Sequence, residues 1–369
     1  VLVEEVVDGS FDAAVAHLVR AGGGQMAKRQ AEEVAVHLSQ DFDAFYDRPQ
    51  AAHQAERDAG KLLVISADGK GIVMHPNSLR EATRRALERT AHKQQTRLSP
   101  GEKKNRKRMA TVISVYEVDP YPRTPEQILD PEQPPAAKRP RAQHKRTWAR
   151  VEARQGAVIE QAFLEALRRD PHQQMRWVVL TDGQEDLLRQ VAAAATRYKV
   201  DIVVVQDFVH VLEYLWQAAY ALHPQDAETR EAWVMDRASA VLQGKVKDVA
   251  VGLRRAATRQ QLSQRARQPV DKAADYLDNN RQRFQCDEAL ANGLPIATGV
   301  IEGACRHLVK DRMDITGARW GLARAEAILK LRSLKISGDL PAYLAFHFEQ
   351  EHTRNYPQPA IPLAVPEAA

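Results

Sequence analysis

The stretch KLLVISADGKGIVMH, residues 61–75, decides the fold class of this chain. It contains an apolar run rich in β-branched residues, a D-G-K-G segment and a second short apolar run. This pattern predicts a β-hairpin with Asp68 at the end of its first strand. The sixty residues before it differ, because their apolar residues recur at helical spacing. The chain therefore changes from helices to strands near residue 61.

Strands and helices alternate after this stretch. MATVISVYEV at 109–118 is predicted to be a strand, and MRWVVLTDG at 175–183 and VDIVVVQD at 200–207 are typical of buried strands. WARVEARQGAVIEQAFLEALRRD, which starts at Trp148, predicts a long helix, and another helix separates the two buried strands. The proline-rich residues 119–147 predict an extended connector over the surface.

The rest of the chain is predicted to be helical, and its last helix, LARAEAILKLRSLK, precedes a polar tail. Three strands followed by alternating helices and strands predict an α/β fold in which helices flank a mixed sheet. This order matches a ribonuclease-H-like fold with an all-helical insertion before its last acidic helix. The chain is predicted to begin with an N-terminal helical region at 1–60. The core is predicted to have a first part at 61–207, which includes a basic insert at 78–108 and the connector at 119–147, and a last part at 298–337. The helical insertion at 208–297 separates these two parts, and a C-terminal tail follows at 338–369.

Composition narrows the class of protein. The two cysteines, Cys286 and Cys305, form no CxxC pair, which argues against a cysteine-rich zinc module or a disulfide framework and favours a reduced, cytoplasmic setting. The longest apolar runs are too short to cross a membrane, and no signal peptide is expected before the first helix. The net charge of +5 favours polyanionic partners such as nucleic acid.

Four carboxylates stand where metal ligands are expected in such a sheet. Two-metal phosphoryl transfer requires acids from different elements to converge on Mg²⁺, and sites gather at strand ends. Asp68, Asp182 and Asp207 each end a predicted strand, and Glu302 begins the helix in GVIEGACRHLVKDRM. Each acid also has a purely structural explanation, because Asp-Gly makes turns and an acid near a helix start favours the dipole.

The strand order separates these candidates. Asp68 and Asp182 fall at the two strand ends that hold the first two metal carboxylates of this fold, and Glu302 lies on the helix that supplies the third. Asp207 comes one βα unit later, so it is assigned with His210 as an accessory pair. Asp207 stays the alternative second ligand.

Basic residues adjoin these acids. Residues 80–108 contain eleven lysines and arginines against three glutamates, which predicts phosphate contact, with a solvated basic face as the alternative. On the late helix, two cations follow Glu302 at i+4 and i+8, and a tryptophan in TGARW either packs in the core or stacks on an unpaired base. The DNA-binding candidates are Lys103, Lys104, Arg106, Lys107, Arg108, Arg306, Lys310, Arg319 and Trp320.

Four stretches resemble the ISKra family of bacterial insertion-sequence transposases, over about residues 20 to 355. They are KRQAEEVAVHLSQDFDAFY, KKNRKRMATVISVYEV, DFVHVLEYLW and ATGVIEGACRHLVKDRMDITGARWGLARAEAILKLR. The resemblance implies a DDE enzyme that uses two Mg²⁺ ions, or Mn²⁺ in their place, held by Asp68, Asp182 and Glu302. DFVH is similar to the C/D-x-x-H motif of several DDE superfamilies, which supports Asp207 and His210 as accessory residues.

The same resemblance implies that the protein cuts and joins DNA. Its expected partners are the terminal inverted repeats, target DNA and a second copy of the chain, with a homodimer or higher assembly on DNA. Full-length relatives carry more residues before the helical region, so a truncated chain is expected here. Two alternatives stay open: a catalytically inactive DNA-binding protein derived from a transposase, and a ribonuclease-H-like nuclease that does not join strands.

Overall fold

A computed structural model gives the fold of the chain as a five-stranded sheet with helices on both faces. None of the helices in the described residues has the length and apolar character needed to cross a membrane. The structure describes residues 2–22, 24–48, 60–90, 104–130, 132–133, 138–315 and 317–356. The strands are β1 (Leu62–Val73), β2 (Lys107–Val118), β3 (Gln143–Arg150), β4 (Arg176–Thr181) and β5 (Ile202–Gln206).

The helices fall into four groups along the chain. Before the sheet lie α1 (Leu2–Asp8), α2 (Phe11–Arg20), α3 (Lys28–Leu38) and α4 (Phe42–Asp47), and between strands lie α5 (Glu81–Arg89), α6 (Pro125–Leu129), α7 (Gln155–Arg169) and α8 (Glu185–Tyr198). After β5 come α9 (Phe208–Leu222), α10 (Ala227–Leu242), α11 (Val246–Arg259), α12 (Gln264–Asn279) and α13 (Cys286–Ala291). The last group is α14 (Gly299–Ala304), a π-helical turn (Cys305–Lys310), α15 (Asp311–Met313), α16 (Leu322–Ser337) and α17 (Leu340–Asn355).

The sheet has the strand order β3-β2-β1-β4-β5. The pairs β1·β2 and β2·β3 are antiparallel, whereas β1·β4 and β4·β5 are parallel. This mixed sheet confirms the predicted α/β class. β4, β5 and the helical segment after residue 208 also lie where the sequence predicts them, but β5, predicted to be buried, is an edge strand whose first three residues are half-buried.

The predicted hairpin at residues 61–75 is wrong. β1 is one continuous strand that pairs with β2 from Leu62 to Val73, so Asp68 lies inside it and D-G-K-G makes no turn. Twelve consecutive residue pairs with β2 override the local turn preference of Asp-Gly, because strand formation depends on the neighbouring strand more than on intrinsic propensity.

The third strand lies where a surface connector and a helix were predicted. β3 includes the end of the proline-rich segment and Trp148, so the following helix α7 begins at Gln155 and not at Trp148. β3 is an edge strand, and α16 covers it: the hydroxyl of Ser333 accepts from the Ala149 amide at 3.3 Å and that of Ser337 from the Thr147 amide at 3.0 Å. The predicted polar tail likewise begins with a helix, α17.

Alternating residues of the central strands face two separate cores. Leu63 and Ile65 of β1 pack with α7, α8 and the N-terminal helices, whereas Leu62 and Val64 pack with the helices that follow β5. The same alternation continues in β4, where Val178 and Leu180 face the second core. The helical segment after β5 therefore covers one face of the sheet beside the ends of β1 and β4.

Candidate active site

Asp68 and Asp182 lie side by side on the sheet. The parallel pairing of β1 with β4 ends at Ser66 opposite Leu180, and each aspartate follows two residues later. Continuing this register places Asp68 opposite Asp182, on neighbouring strands about 4.8 Å apart. The charge of Asp68 acts on the Asp182 carboxylate, which agrees with this placement. Both side chains are half-buried.

Asp207 occupies the next position in the same row, but its side chain is fully committed to protein contacts. β4 pairs with β5 up to Thr181 opposite Gln206, so Asp207 is in register with Asp182. Asp207 is 0% exposed. One carboxylate oxygen accepts from the Val209 amide at 2.9 Å, and the other accepts from the hydroxyl of Thr298. Asp207 therefore caps α9 and holds Thr298 in place.

Thr298 connects Asp207 to Glu302. Its hydroxyl lies next to Asp207 and 3.2 Å from Oε1 of Glu302, and its backbone amide donates to Asp207 at 3.4 Å. The Glu302 amide bonds the Thr298 carbonyl at 3.0 Å, which starts α14. Glu302 itself is exposed at the surface of this helix. The buried aspartate thus fixes the helix start from which Glu302 projects.

A second contact joins this helix to Asp68. The thiol of Cys305, one turn after Glu302, donates to Oδ2 of Asp68 at 3.2 Å. The other carboxylate oxygen, Oδ1, accepts from the Gly69 amide at 2.5 Å. Cys305 is buried and begins the π-helical turn, a distortion that occurs often at functional sites. Asp68 and Glu302 therefore lie at the same place in the molecule, on either side of Cys305.

The pKa shifts of Asp182 and Cys305 agree with the proximity of the acidic side chains. Burial raises the pKa of Asp182 above its ordinary value, and the negative charge of Asp68 raises it further, against the opposing hydrogen bond from the Gln184 amide. Burial also raises the pKa of the Cys305 thiol, and the charges of Asp68 and Glu302 add to the shift. Cys305 is consequently a neutral donor to Asp68 at physiological pH.

The turn after β4 orients Asp182. Gly183 has a φ of +90°, and a side chain there would collide with Gln206. The Asp182 carbonyl accepts from Nε2 of Gln206 at 3.2 Å and from the hydroxyl of Tyr276 at 3.3 Å. The Asp182 carboxylate accepts from the Gln184 amide at 3.1 Å. The predicted Asp-Gly turn is confirmed, and α12 of the helical segment helps to hold it.

A cleft of about 730 Å³ opens beside Asp182. His210 lies in it close enough for its charge to affect Asp182, and its Nδ1 has no hydrogen-bond partner among the described residues, although Glu213 lies 3.4 Å away. The other charged and aromatic lining residues come from α8, α9, α12 and the turn after α12. They are Glu185, Arg189, Tyr214, Tyr276 and Arg283.

The three accessible carboxylates lack the ion pairs that acids elsewhere in the molecule have. In the part of the chain that the structure describes, Asp68, Asp182 and Glu302 form no salt bridge with lysine or arginine, whereas Glu165 and Glu326 do. Their oxygens are not all within 4.8 Å of one another, which is the spacing of the His37, His347 and Glu351 cluster. The three acids are therefore spread more widely than ligands of one ion.

Most of the predicted DNA-binding cations are exposed, but one is held by hydrogen bonds within the protein. Lys104, Arg106 and Lys107 are exposed, whereas the guanidinium of Arg108 donates to the carbonyls of Val151, Ser78 and Glu152. On the last segments Arg306, Lys310 and Arg319 are exposed. Lys103 lies outside the described residues.

Trp320 belongs to the core. It is 6% exposed, its indole nitrogen donates to the Met313 carbonyl at 3.0 Å, and Phe11 and Arg312 pack against its ring. The prediction that Trp320 contacts DNA is therefore wrong for this fold, and the alternative of a packing residue is correct.

Three residues near the carboxylates were missed by the sequence reasoning or assigned only to packing. Lys70 lies two residues after Asp68 on the same strand face, and its charge reaches Cys305. Cys305 and Thr298 lie at i+3 and i−4 from Glu302, a spacing that places them beside it on a helix. That spacing was the available signal.

No family model, curated protein or solved structure matches the chain. The resemblance to the ISKra family therefore stays a prediction, and the function must be argued from the geometry described above.

Proposed function

We propose that this chain is a DDE transposase that cleaves DNA at transposon ends and joins the strands to a target, on a ribonuclease-H-like core. The observation that carries the proposal is that Asp68 and Asp182 lie in register on neighbouring strands, with Glu302 close to them. We call Asp68 and Asp182 the carboxylate row. Two buried contacts support that position: Asp207 through Thr298, and Cys305 with Asp68. Three accessible acids from three separate segments thus lie close together where β4 ends beside the middle of β1.

The strand order supports the core assignment. A sheet ordered 3-2-1-4-5, in which only the second strand runs against the others, is the arrangement expected for a ribonuclease-H-like fold. The helical segment after β5 covers one face of this sheet and supplies Tyr276 to the turn of Asp182. Its position between β5 and the helix of Glu302 is the one that the resemblance implies.

The residues present fit Mg²⁺. All three side chains offer only oxygen ligands, which Mg²⁺ prefers, and a site for two ions takes carboxylates from different elements. Unpaired acids in a half-buried row repel one another, so a divalent cation would stabilise them. When bound, two Mg²⁺ ions supply an activated water or 3′-hydroxyl and stabilise the leaving oxygen of a phosphodiester.

The chain's own groups position the reacting parts. Cys305 holds one oxygen of Asp68, and Gln206 and Tyr276 fix the Asp182 backbone, so both carboxylates keep one orientation. Asp207 is a positioning residue that acts on Glu302 through Thr298. His210, half-buried, lines the cleft beside Asp182, and its buried Nδ1 lies 3.4 Å from Glu213.

Cations near this row are proposed to contact the DNA backbone; Lys70 is half-buried and the others are exposed. Lys70 follows Asp68 on the same strand face, and Arg306 and Lys310 are exposed on the segment that follows Glu302. Lys104, Arg106 and Lys107 extend this basic surface at the start of β2. Phosphate contacts of this kind bind without sequence preference and weaken with salt. Pairing of two ends would require a dimer on DNA.

The proposal is tested by Mg²⁺-dependent nicking of a supercoiled plasmid and by the joined products of a labelled end duplex. Asp182→Ala and Glu302→Ala should be inactive, whereas Asp207→Ala should keep partial activity because Asp207 does not contact substrate. An active Asp182→Ala together with an inactive Asp207→Ala would move the second ligand to Asp207. Nicking without joining would indicate a nuclease, and DNA binding without nicking would indicate an inactive derivative.

A further inference from the structure

A second group of possible metal ligands lies far from the carboxylate row. His37 at the end of α3 and His347 and Glu351 on α17 each offer one ligand atom, and these atoms lie within 4.8 Å of one another. His347 and Glu351 are four residues apart, so they share one helix face. No other group of three histidine, cysteine or acidic residues in the described ranges meets this spacing.

The first ligand, His347, is oriented by a carboxylate. Its Nδ1 lies 2.7 Å from Oδ2 of Asp41, and Arg354 donates to both Asp41 oxygens at 2.8 and 2.7 Å. A proton on Nδ1 shared with Asp41 leaves the lone pair on Nε2. Metal-binding histidines are held in this way, with the second nitrogen hydrogen-bonded to a carboxylate. His347 is 1% exposed, so its ring has little freedom to turn away.

The other two ligands face each other. Nε2 of His37 lies 3.0 Å from Oε2 of Glu351, and Oε1 of Glu351 is held by Gln40 at 2.7 Å and by Arg354. Two ligands of a tetrahedral Zn²⁺ at 2.0–2.1 Å are about 3.3 Å apart. The 3.0 Å contact of His37 with Glu351 is close to this spacing, and all three ligand atoms lie within 4.8 Å of one another.

The net charge of the cluster is also compatible with a bound cation. Asp41 and Glu351 carry two negative charges and Arg354 one positive charge, and both imidazoles are neutral when they bind a metal. An ion-pair network of Arg354 with Asp41 and Glu351 accounts for part of this arrangement. It does not account for the convergence of both imidazoles with a carboxylate oxygen of Glu351, whose Oε2 already contacts His37.

We propose that His37, His347 and Glu351 form a Zn²⁺ site that links α3 to α17. Two imidazoles and one carboxylate are borderline ligands that suit Zn²⁺, whereas Mg²⁺ and Ca²⁺ prefer oxygen alone. His37 is half-exposed, so water completes the fourth position. The ion would join segments more than 300 positions apart in sequence and stabilise the docking of the N-terminal helices. The site is independent of the proposed DNA chemistry.

Calorimetric titration of ZnCl₂ into the chelator-treated full chain tests this site. Wild type should bind one equivalent, and His37→Ala and Glu351→Gln should weaken binding by roughly 10- to 100-fold or more. His352→Ala, which removes an exposed histidine from the same helix, should bind like wild type.

Two further measurements keep the test decisive. Co²⁺ in place of Zn²⁺ should give the visible absorption of a tetrahedral ion, and His37→Ala should lose it. His37 is at the surface, so this variant should remain folded by circular dichroism even where His347→Ala does not. Zinc binding that is unchanged in folded His37→Ala, or equally weakened in His352→Ala, would overturn the proposal.

Discussion

Carboxylates occur in two contrasting settings in this molecule. Beside β3, Glu165 is paired with Arg146 and Arg169, and Glu326 is paired with Arg150 and accepts from two backbone amides. These residues are called the β3 ion network. At the carboxylate row of Asp68 and Asp182, with Glu302 beside it, the described residues supply hydroxyl, thiol and amide donors but no lysine or arginine pairs.

The pKa values shift in opposite directions in the two settings. Burial by itself would raise the pKa of Glu165, but the guanidinium groups of Arg146 and Arg169 outweigh it and lower the pKa below the ordinary 4.5. At Asp182 burial raises the pKa and the nearby Asp68 adds to the shift. The β3 ion network is neutralised within the protein and stabilises the fold. The carboxylate row is left with negative charge that a bound cation would neutralise.

The largest expected effect is the loss of the cleavage rate when a charged carboxylate of the row is replaced by a neutral side chain. Asp68→Asn keeps the size of the side chain and an acceptor for Cys305 but removes the charge that would hold the metal. Loss of several kcal/mol of metal assistance corresponds to a rate at least roughly 10³-fold lower. The free energy of unfolding should stay the same or rise, because a like-charge repulsion is removed. Plasmid nicking and urea unfolding of the same preparation measure both, and strong loss of stability would contradict the contrast.

Breaking the β3 ion network should have the converse effect. Glu326→Ala leaves Arg150 buried without its main partner and frees the amides of Val151 and Glu152, so it should lower the unfolding free energy by about 3–5 kcal/mol. Urea denaturation gives this value. The matched control is Glu88→Ala, which removes the exposed partner of Arg84 and should change stability by no more than about 0.5 kcal/mol. Equal effects of the two substitutions would contradict a buried role for Glu326.

An intermediate effect is expected from the positioning contact. Asp207→Asn replaces one of the two acceptor oxygens with an NH₂ donor, so the Val209 amide and the Thr298 hydroxyl can no longer both donate to it. Glu302 then loses its orientation while all three proposed ligands remain. Removal of such supporting contacts typically costs about 10- to 100-fold. Cleavage rates should fall by this factor, and Thr298→Ser, which keeps the hydroxyl, should restore most of the rate relative to Thr298→Val. Complete inactivity of Asp207→Asn with loss of Mg²⁺ binding would make Asp207 a ligand instead.

The smallest effect concerns acid stability. Because the pKa of Glu165 is lowered in the folded state, its ion pairs stabilise the protein above the unfolded pKa, and this contribution is lost as pH falls through the folded pKa. Wild type should therefore lose stability below about pH 4.5, with at most about 1.4 kcal/mol per pH unit from this group. Glu165→Gln should be less stable at pH 7 and should show a shallower decline, measured by urea unfolding from pH 7 to pH 3.

Local pattern predicted much of the fold. The apolar runs of β4 and β5 and the helical spacing after residue 208 depend on short-range periodicity, which the sequence displays directly. β1 was divided in two because Asp68-Gly69 resembles a turn, and only its pairing with β2 keeps it straight. β3 was missed because QHKRTWAR is polar at its start, and its burial comes from α16, more than 170 residues away.

Part of the candidate site could also be predicted from local sequence pattern. Asp182 and Glu302 lie at the strand end and in the first turn of the helix that the sequence indicates, whereas Asp68, predicted at a strand end, lies inside β1. The contacts of Cys305 with Asp68 and of Thr298 with Asp207 join residues far apart in sequence. The burial of Trp320 against Phe11 is also a long-range contact. No spacing rule within a segment reveals such contacts, because they depend on how the segments pack.

The most direct test of this account is calorimetric titration of Mg²⁺ into wild type, Asp182→Asn and Asp207→Asn. Mg²⁺ is chosen because it prefers oxygen ligands, which leaves the histidine cluster out of the measurement. The account predicts that wild type and Asp207→Asn bind Mg²⁺, and that Asp182→Asn binds roughly tenfold more weakly or worse, because one charged ligand is lost. Binding of Mg²⁺ by Asp182→Asn with the affinity of wild type would contradict the assignment of the carboxylate row as the catalytic metal site.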